Sequence, residues 1–293
     1  METTLKLYRR YNTETLNGKI RRKCDGSALV FSESEDYCNI GETIDADSYI
    51  SYKSSSGTTG SGFIKQNQEK SAYLHIVTGD LNFNDYFSGA ECLTSVDFSN
   101  INTPNLSCKA LFKGCKNLET ITGLERLTSI SEISDDDKGG MFDGCEKLTG
   151  YIDLSRIDHS YEQTLSLTFC DCHKIEGIKL GTKSKVSGIS QMCFGCKSLK
   201  VIDMSAVDLS SCNRIDEAFN GCEMLEMVDL TSLSIHNVIE NKVDGNHYDK
   251  VFEGCNRLRH IRCNAAFKYY IDRHPELTFG LPDIKDIEWH VAW

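Results

Sequence analysis

The feature that most constrains this chain is a short segment, Phe-x-Gly-Cys-x-x-Leu, that recurs along it with small variations. Seven copies begin at Phe87, Phe112, Phe142, Phe169, Cys193, Phe219 and Phe252. Their fourth positions read Ala90, Cys115, Cys145, Cys172, Cys196, Cys222 and Cys255, with successive members 25, 30, 27, 24, 26 and 33 residues apart. A period of this size marks a stacked repeat, and the two longer intervals mark insertions. Each copy leads into a hexamer with apolar first, fourth and sixth positions, as in Leu93–Phe98, Leu199–Met204 and Leu225–Leu230. The last two apolar positions share one face of an extended strand, and the residue between them points the other way. One unit cannot bury such a face alone, but stacked units join their faces into a continuous core. The upstream Phe and Cys are expected inside. The Gly is expected where the backbone turns through left-handed values or a neighbouring coil comes close.

The turn Met141-Phe-Asp-Gly-Cys-Glu-Lys-Leu148 and the strand Ile202-Asp-Met-Ser205 resemble BspA-type leucine-rich repeats, and the resemblance runs from about residue 81 to 275. It implies an α/β solenoid: a leucine-rich-repeat-like, right-handed array of about seven coils with short parallel strands on one face. Members of that family are bacterial or protist surface adhesion and binding proteins, with relatives among phage and mobile-element proteins. The resemblance therefore implies a binding or structural role with a protein or glycan partner.

Residues 1–80 lack the repeat. Alternation at Leu5 and Leu7, the run Ala28–Phe31 and the Ser/Gly-rich stretch Ser54–Gly62 read as a small strand-rich module with a linker or long loop. It serves either as the N-terminal cap a solenoid needs or as a docking module, through which the chain joins a larger body or a second copy of itself. The C-terminal segment, 276–293, carries both tryptophans, Trp289 and Trp293, in strand-like alternation and reads as a closing cap.

The net charge is −11, which repels nucleic-acid backbones and anionic lipid over most of the surface. Nucleic acid is not an expected partner. Arg9, Arg10, Arg21, Arg22 and Lys23 form a local basic group, read as a solvated face. The first twenty residues contain no signal-like apolar run, and no later stretch is long enough to span a membrane. We therefore expect no membrane insertion, residence in the cytoplasm of the producing cell or incorporation into a virion, and largely free thiols among the fourteen cysteines.

The one constellation that suggests chemistry is Cys170, Cys172 and His173 with Cys193 and Cys196, whose spacing suits a tetrahedral zinc site. Cys172 and Cys196 belong to the repeat column, so small buried hydrophobes are the expected reading, with neither metal nor cofactor. No histidine recurs in register with a cysteine, and phosphate-loop, nucleophile-elbow and zincin motifs are lacking. Asp135–Asp137 read as a charged insertion rather than a calcium loop.

The expected contact surface is the outward strand position between the last two apolar residues: Asp97, Asp153, Lys179, Asp203, Asp229 and Arg262. The aspartates either cap backbone amides in the neighbouring turn or meet a partner. The inserts Ile130–Gly140 and Ile239–Tyr248 are further candidate surfaces. These readings converge on a non-enzymatic component of a larger assembly such as a phage virion. The alternatives are a cell-surface adhesin or glycan-binding protein, and a cysteine- or zinc-dependent enzyme.

Overall fold

A computed structural model describes residues 5–9, 29–31, 52–53, 59–60, 71–76, 81–82, 85, 87–90, 93–101, 106–127, 130–135, 139–156, 163–240, 248–274, 279–281 and 284–292. Strands β1 (Leu5–Arg9), β2 (Leu29–Phe31), β3 (Tyr52–Lys53), β4 (Thr59–Gly60) and β5 (Ser71–Ile76) precede the repeats. Next come β6 (Leu81–Asn82), β7 (Ser95–Ile101), β8 (Leu106–Ser107), β9 (Thr120–Thr122), β10 (Ile130–Glu132), β11 (Ser134–Asp135), β12 (Gly139–Gly140) and β13 (Gly150–Leu154). The array closes with β14 (Gln163–Thr164), β15 (Ile175–Gly188), β16 (Val201–Asp208), β17 (Met227–Leu230), α1 (Ile235–Glu240), β18 (His260–Asn264), α2 (Ala265–Arg273) and β19 (Glu288–Ala292).

Two parallel runs form the strand layer. In one, β5, β7 and β9 are parallel neighbours, and β1 and β2 add antiparallel beyond β5. In the other, β13, β15, β16, β17, β18 and β19 lie side by side, all parallel. No strand pairing links β9 to β13 among the described residues. Across this seam the Thr149 N–H and hydroxyl both donate to the Glu119 carbonyl at 3.2 Å. Strand β5, from the segment preceding the repeats, thus pairs directly with the first repeat strand, and β19 extends the sheet beyond the last.

Opposite the strands, the Phe-x-Gly-Cys segments form turns stacked coil on coil. Amide Phe112 donates to the carbonyl of Met141 at 2.8 Å, Phe142 to Thr168 at 3.0 Å, Phe169 to Met192 at 2.8 Å and Phe219 to Val251 at 2.9 Å. The ladder runs one step past the seventh copy, from Phe252 to Phe279 at 2.8 Å. Side by side in the core, the rings of Phe87, Phe112, Phe142 and Phe169 stack with centroids 5.4, 5.8 and 5.4 Å apart, and Phe219 stacks on Phe252 at 5.7 Å. Cys193 interrupts the column between them. All these residues are buried, and the result is the α/β solenoid that the repeat implies.

The cysteine column has a bonding role as well as a packing one. Each thiol donates to the carbonyl of the Phe-column residue one coil earlier: Cys115 to Phe87 at 2.9 Å, Cys145 to Phe112 at 3.2 Å, Cys172 to Phe142 at 3.1 Å, Cys196 to Phe169 at 3.0 Å, Cys222 to Cys193 at 3.1 Å and Cys255 to Phe219 at 3.0 Å. A side chain is thus required that is small and apolar yet carries a donor, and cysteine meets all three demands. The glycine column answers to sterics: Gly221 has φ +77°, and a Cβ there would stand 3.4 Å from the Gly195 Cα of the adjacent coil. Asp171 takes the glycine position in one coil and holds φ at 56°.

Candidate functional site

Strand alternation settles what each face of the second sheet displays. Ile152, Ile178, Ile202, Val228 and Ile261 point inward and are buried. Outward, two rows run across the strands. One joins Asp153, Lys179 and Asp203 by register, then Asp229, Arg262 and His290. The other, two residues earlier on each strand, reads Tyr151, Gly177, Val201, Met227, His260 and Glu288.

The first row contains five of the six contact residues expected from the sequence. The sixth, Asp97, lies in the other sheet, where β7 places it in register with Tyr73 and Thr122. Three aspartates cap the amide two residues on. The Asp153 Oδ1 accepts from the Ser155 N–H at 2.8 Å, Asp203 from the Ser205 N–H at 3.1 Å and hydroxyl at 2.7 Å, and Asp229 from the Thr231 N–H at 2.9 Å and hydroxyl at 2.6 Å. Hydrogen bonds from the Ser155 and Ser205 hydroxyls hold the Asp153 and Asp203 carboxyls below the usual carboxylate range, and Lys179, between them in register, acts in the same direction. Arg262 lies 3.7 Å from Asp229. The row is therefore a mixed charge ladder, with Lys179 between Asp153 and Asp203 and with Arg262 beside Asp229.

The second row escaped the sequence reading, although the same two-residue alternation points to it. It carries an apolar stripe of Tyr151, Val201 and Met227, exposed by 54%, 43% and 38%. Gly177 sits between Tyr151 and Val201, and the Tyr151 ring lies across it: a Cβ on Gly177 would stand 2.3 Å from the Tyr151 Cδ2 and 3.2 Å from the Val201 Cγ1. At the seam the stripe ends in a cavity of about 230 Å³ lined by Thr120, Ile121, Leu124, Glu125, Thr149, Tyr151, Ile152 and Asp153. A flat rigid sheet bearing an exposed apolar stripe beside a charge ladder is suited to contact with another surface rather than to enclosing a small molecule.

The five residues considered for zinc do not converge on a common point. Cys172 and Cys196 are spent on carbonyls of the preceding coil. The His173 Nδ1 contacts the carbonyl of Asp171 at 2.6 Å, and the Cys170 thiol faces the Asp171 carboxylate at 3.9 Å. Burial pushes the Cys170, Cys172 and Cys193 thiols up from their ordinary range, away from the thiolate a metal or a nucleophilic mechanism needs. Eleven cysteines from Cys108 to Cys263 are free.

Of the inserts, Ser134–Asp135 pairs antiparallel with Gly139–Gly140, and the Ser134 hydroxyl donates to the Ser166 carbonyl. Asp136 and Asp137, residues 241–247, residues 54–58, 61 and 62, Trp293, Arg10, Arg21, Arg22 and Lys23 lie outside the described residues. No helix among the described residues is long and apolar enough to cross a membrane.

No curated protein matches the chain. A solved structure of a leucine-rich repeat protein from Bacteroides ovatus is similar at 14% identity, over 86% of this chain and 99% of that one, with a TM-score of 0.22. The family model for the BspA type leucine rich repeat region matches in six copies, over residues 84–149 and 108–243, together more than half of the sequence. With phased turns, parallel strands and this match in agreement, the chain belongs to the BspA-type leucine-rich repeat family.

Proposed function

We propose that this protein is a non-enzymatic scaffold whose second sheet docks a protein partner through its outward face. One observation carries the reading: the stripe of Tyr151, Val201 and Met227, exposed side by side on a sheet whose other face is fully packed. The aspartates of the adjoining row hold their loops through one oxygen, so this row fixes the shape of the surface while the stripe supplies apolar area. Family membership supports a protein-binding or structural role, in keeping with a repeat class that is typically non-enzymatic.

In its finer form, the chain is a component of a larger assembly such as a phage virion, fixed through residues 1–80. The pairing of β5 with β7 supports this form, because a segment joined edge to edge with the array transmits position rigidly. It also means that a truncation before Asp80 would strip a strand from the sheet, so the full chain is the right reagent. A photo-crosslinking side chain at Val201 should capture one saturable protein partner, while the same group at exposed Glu253 in the turn layer should not. Equal labelling from both positions, or glycan binding unaffected by changes at Tyr151 and Val201, would overturn the reading.

A further inference from the structure

At the C-terminal end of the strand face the two outward rows meet in His260, Glu288 and His290. The His260 Nδ1 lies 3.2 Å from the His290 Nε2 and 3.3 Å from a Glu288 carboxylate oxygen, and the other Glu288 oxygen lies 3.7 Å from the His290 Nε2. Among the described residues this is the one group of three potential ligands whose donor atoms all fall within 4.8 Å of one another. We propose that it is a binding site for one divalent transition-metal ion, with Zn²⁺ its natural occupant.

Three considerations carry the assignment. In a tetrahedral site with bonds of about 2.0–2.1 Å to nitrogen and oxygen, neighbouring ligand atoms stand about 3.3–3.4 Å apart, so the His260–His290 and His260–Glu288 separations match that spacing, and one donor atom from each of the three residues lies within 4.8 Å of the other two. Imidazole and carboxylate are the donor types that borderline metals such as zinc take, and two histidines with one carboxylate leave a fourth position for water or a partner's group. The donors also sit on a rigid base: β18 and β19 are paired in register from His260–Glu288 to Asn264–Ala292, and Trp289 between the two β19 ligands packs inward against Phe267 with ring centroids 6.2 Å apart.

Two of the neighbouring arginines are held by partners of their own. Arg262, in register with His290, is 3.7 Å from Asp229, and Arg259 donates to the carbonyls of Asn256 and Leu258. Glu226, Arg257, Arg259 and His260 line an adjoining cavity of about 250 Å³.

Isothermal titration of the full chain with Zn²⁺ near neutral pH, with a phosphine reductant present, tests the site. One ion per chain should bind, and His290→Ala and His260→Ala should each weaken binding roughly 10- to 100-fold, at least the loss that removing even an outer partner of a metal ligand brings. The cluster is exposed, with side-chain exposures of 42% for each histidine and 66% for Glu288, so these variants should keep the circular dichroism and melting temperature of the metal-free protein. Bound Co²⁺ should show ligand-field bands without a thiolate charge-transfer band. Absence of binding, binding unchanged in both histidine variants, or a thiolate band reporting capture by a cysteine would each overturn the proposal.

Discussion

Tyr151 and Cys172 mark the two extremes of residue role in this protein. The Tyr151 side chain is more than half exposed and rests across Gly177. Tyr151→Ala should therefore change stability by less than about 0.5 kcal/mol, the usual range for surface positions, yet reduce crosslinking of the partner from Val201. A melting curve and the crosslinking yield separate the two effects. Cys172 is fully buried and its thiol is bonded to the carbonyl of Phe142. Cys172→Ala leaves a small void and removes one of the two donors to the Phe142 carbonyl, the Cys145 N–H remaining at 3.0 Å, so a loss of about 1–2 kcal/mol is expected in urea unfolding.

The buried thiols also set the alkaline limit. Burial raises Cys108, Cys145, Cys172, Cys193 and Cys222 well above the ordinary thiol range and pushes Cys115, Cys212 and Cys255 up to about 12. Above about pH 9 the unfolded chain releases these protons while the folded chain retains them. Their stabilisation is therefore complete below that pH and is lost as pH rises toward the folded values, by up to about 1.4 kcal/mol per thiol per pH unit. Unfolding midpoints in reductant should fall steeply between about pH 9 and 10. A flat profile would contradict the burial of the column. The acid side has the opposite sign: Asp153, Asp203 and Asp208 are held low by hydrogen bonds from Ser155, Ser205 and Ser210, so their small contribution is lost as pH falls below about 4.

At the scale of elements, the strands and turns repeat while the ends are individual solutions. Asn264 closes β18 and opens α2: its Oδ1 accepts from the Phe267 N–H at 2.8 Å, and its amide donates to the carbonyls of Leu233 and Thr231 at 2.7 and 3.1 Å in the preceding coil. Asn264→Ala loses a helix cap and leaves two carbonyls short of a donor, so it should cost about 2–3 kcal/mol in chemical denaturation, and Asn264→Asp should not rescue it, because the cap oxygen is kept but an acceptor-only carboxylate oxygen then faces the Thr231 and Leu233 carbonyls. In the Phe column, Phe142 is fully buried between Phe112 and Phe169. Phe142→Ala should cost about 3–5 kcal/mol. The sequence made these elements readable because the repeat superimposes independent examples: seven Phe-x-Gly-Cys segments fix the turn, and alternation after each fixes the strand. Phe279–Gly280 was not readable as a further step, since it keeps the backbone ladder without the cysteine and leucine that identify the others.

Across the whole molecule, the break between β9 and β13 divides the strand layer into two cooperative lengths. Coils interact only with their neighbours, so a missing strand pair weakens coupling at that point. Hydrogen exchange should be faster in β13, which has a paired strand on one side, than in β16, which is paired on both. Equal protection would show that the turn ladder alone couples the halves. What the sequence by itself determined was the coil: period, inward residues, turn chemistry and the family follow from local patterns that recur. Only the tertiary structure decided which coils pair, because register and the seam depend on insert lengths and on neighbours that no single repeat encodes. It also decided the two proposed binding surfaces. The Tyr151 stripe becomes continuous only when β13, β15, β16 and β17 align. His260 and His290, thirty residues apart in sequence, meet only because β19 adds to β18, where backbone hydrogen bonding rather than any recurring motif sets the distance.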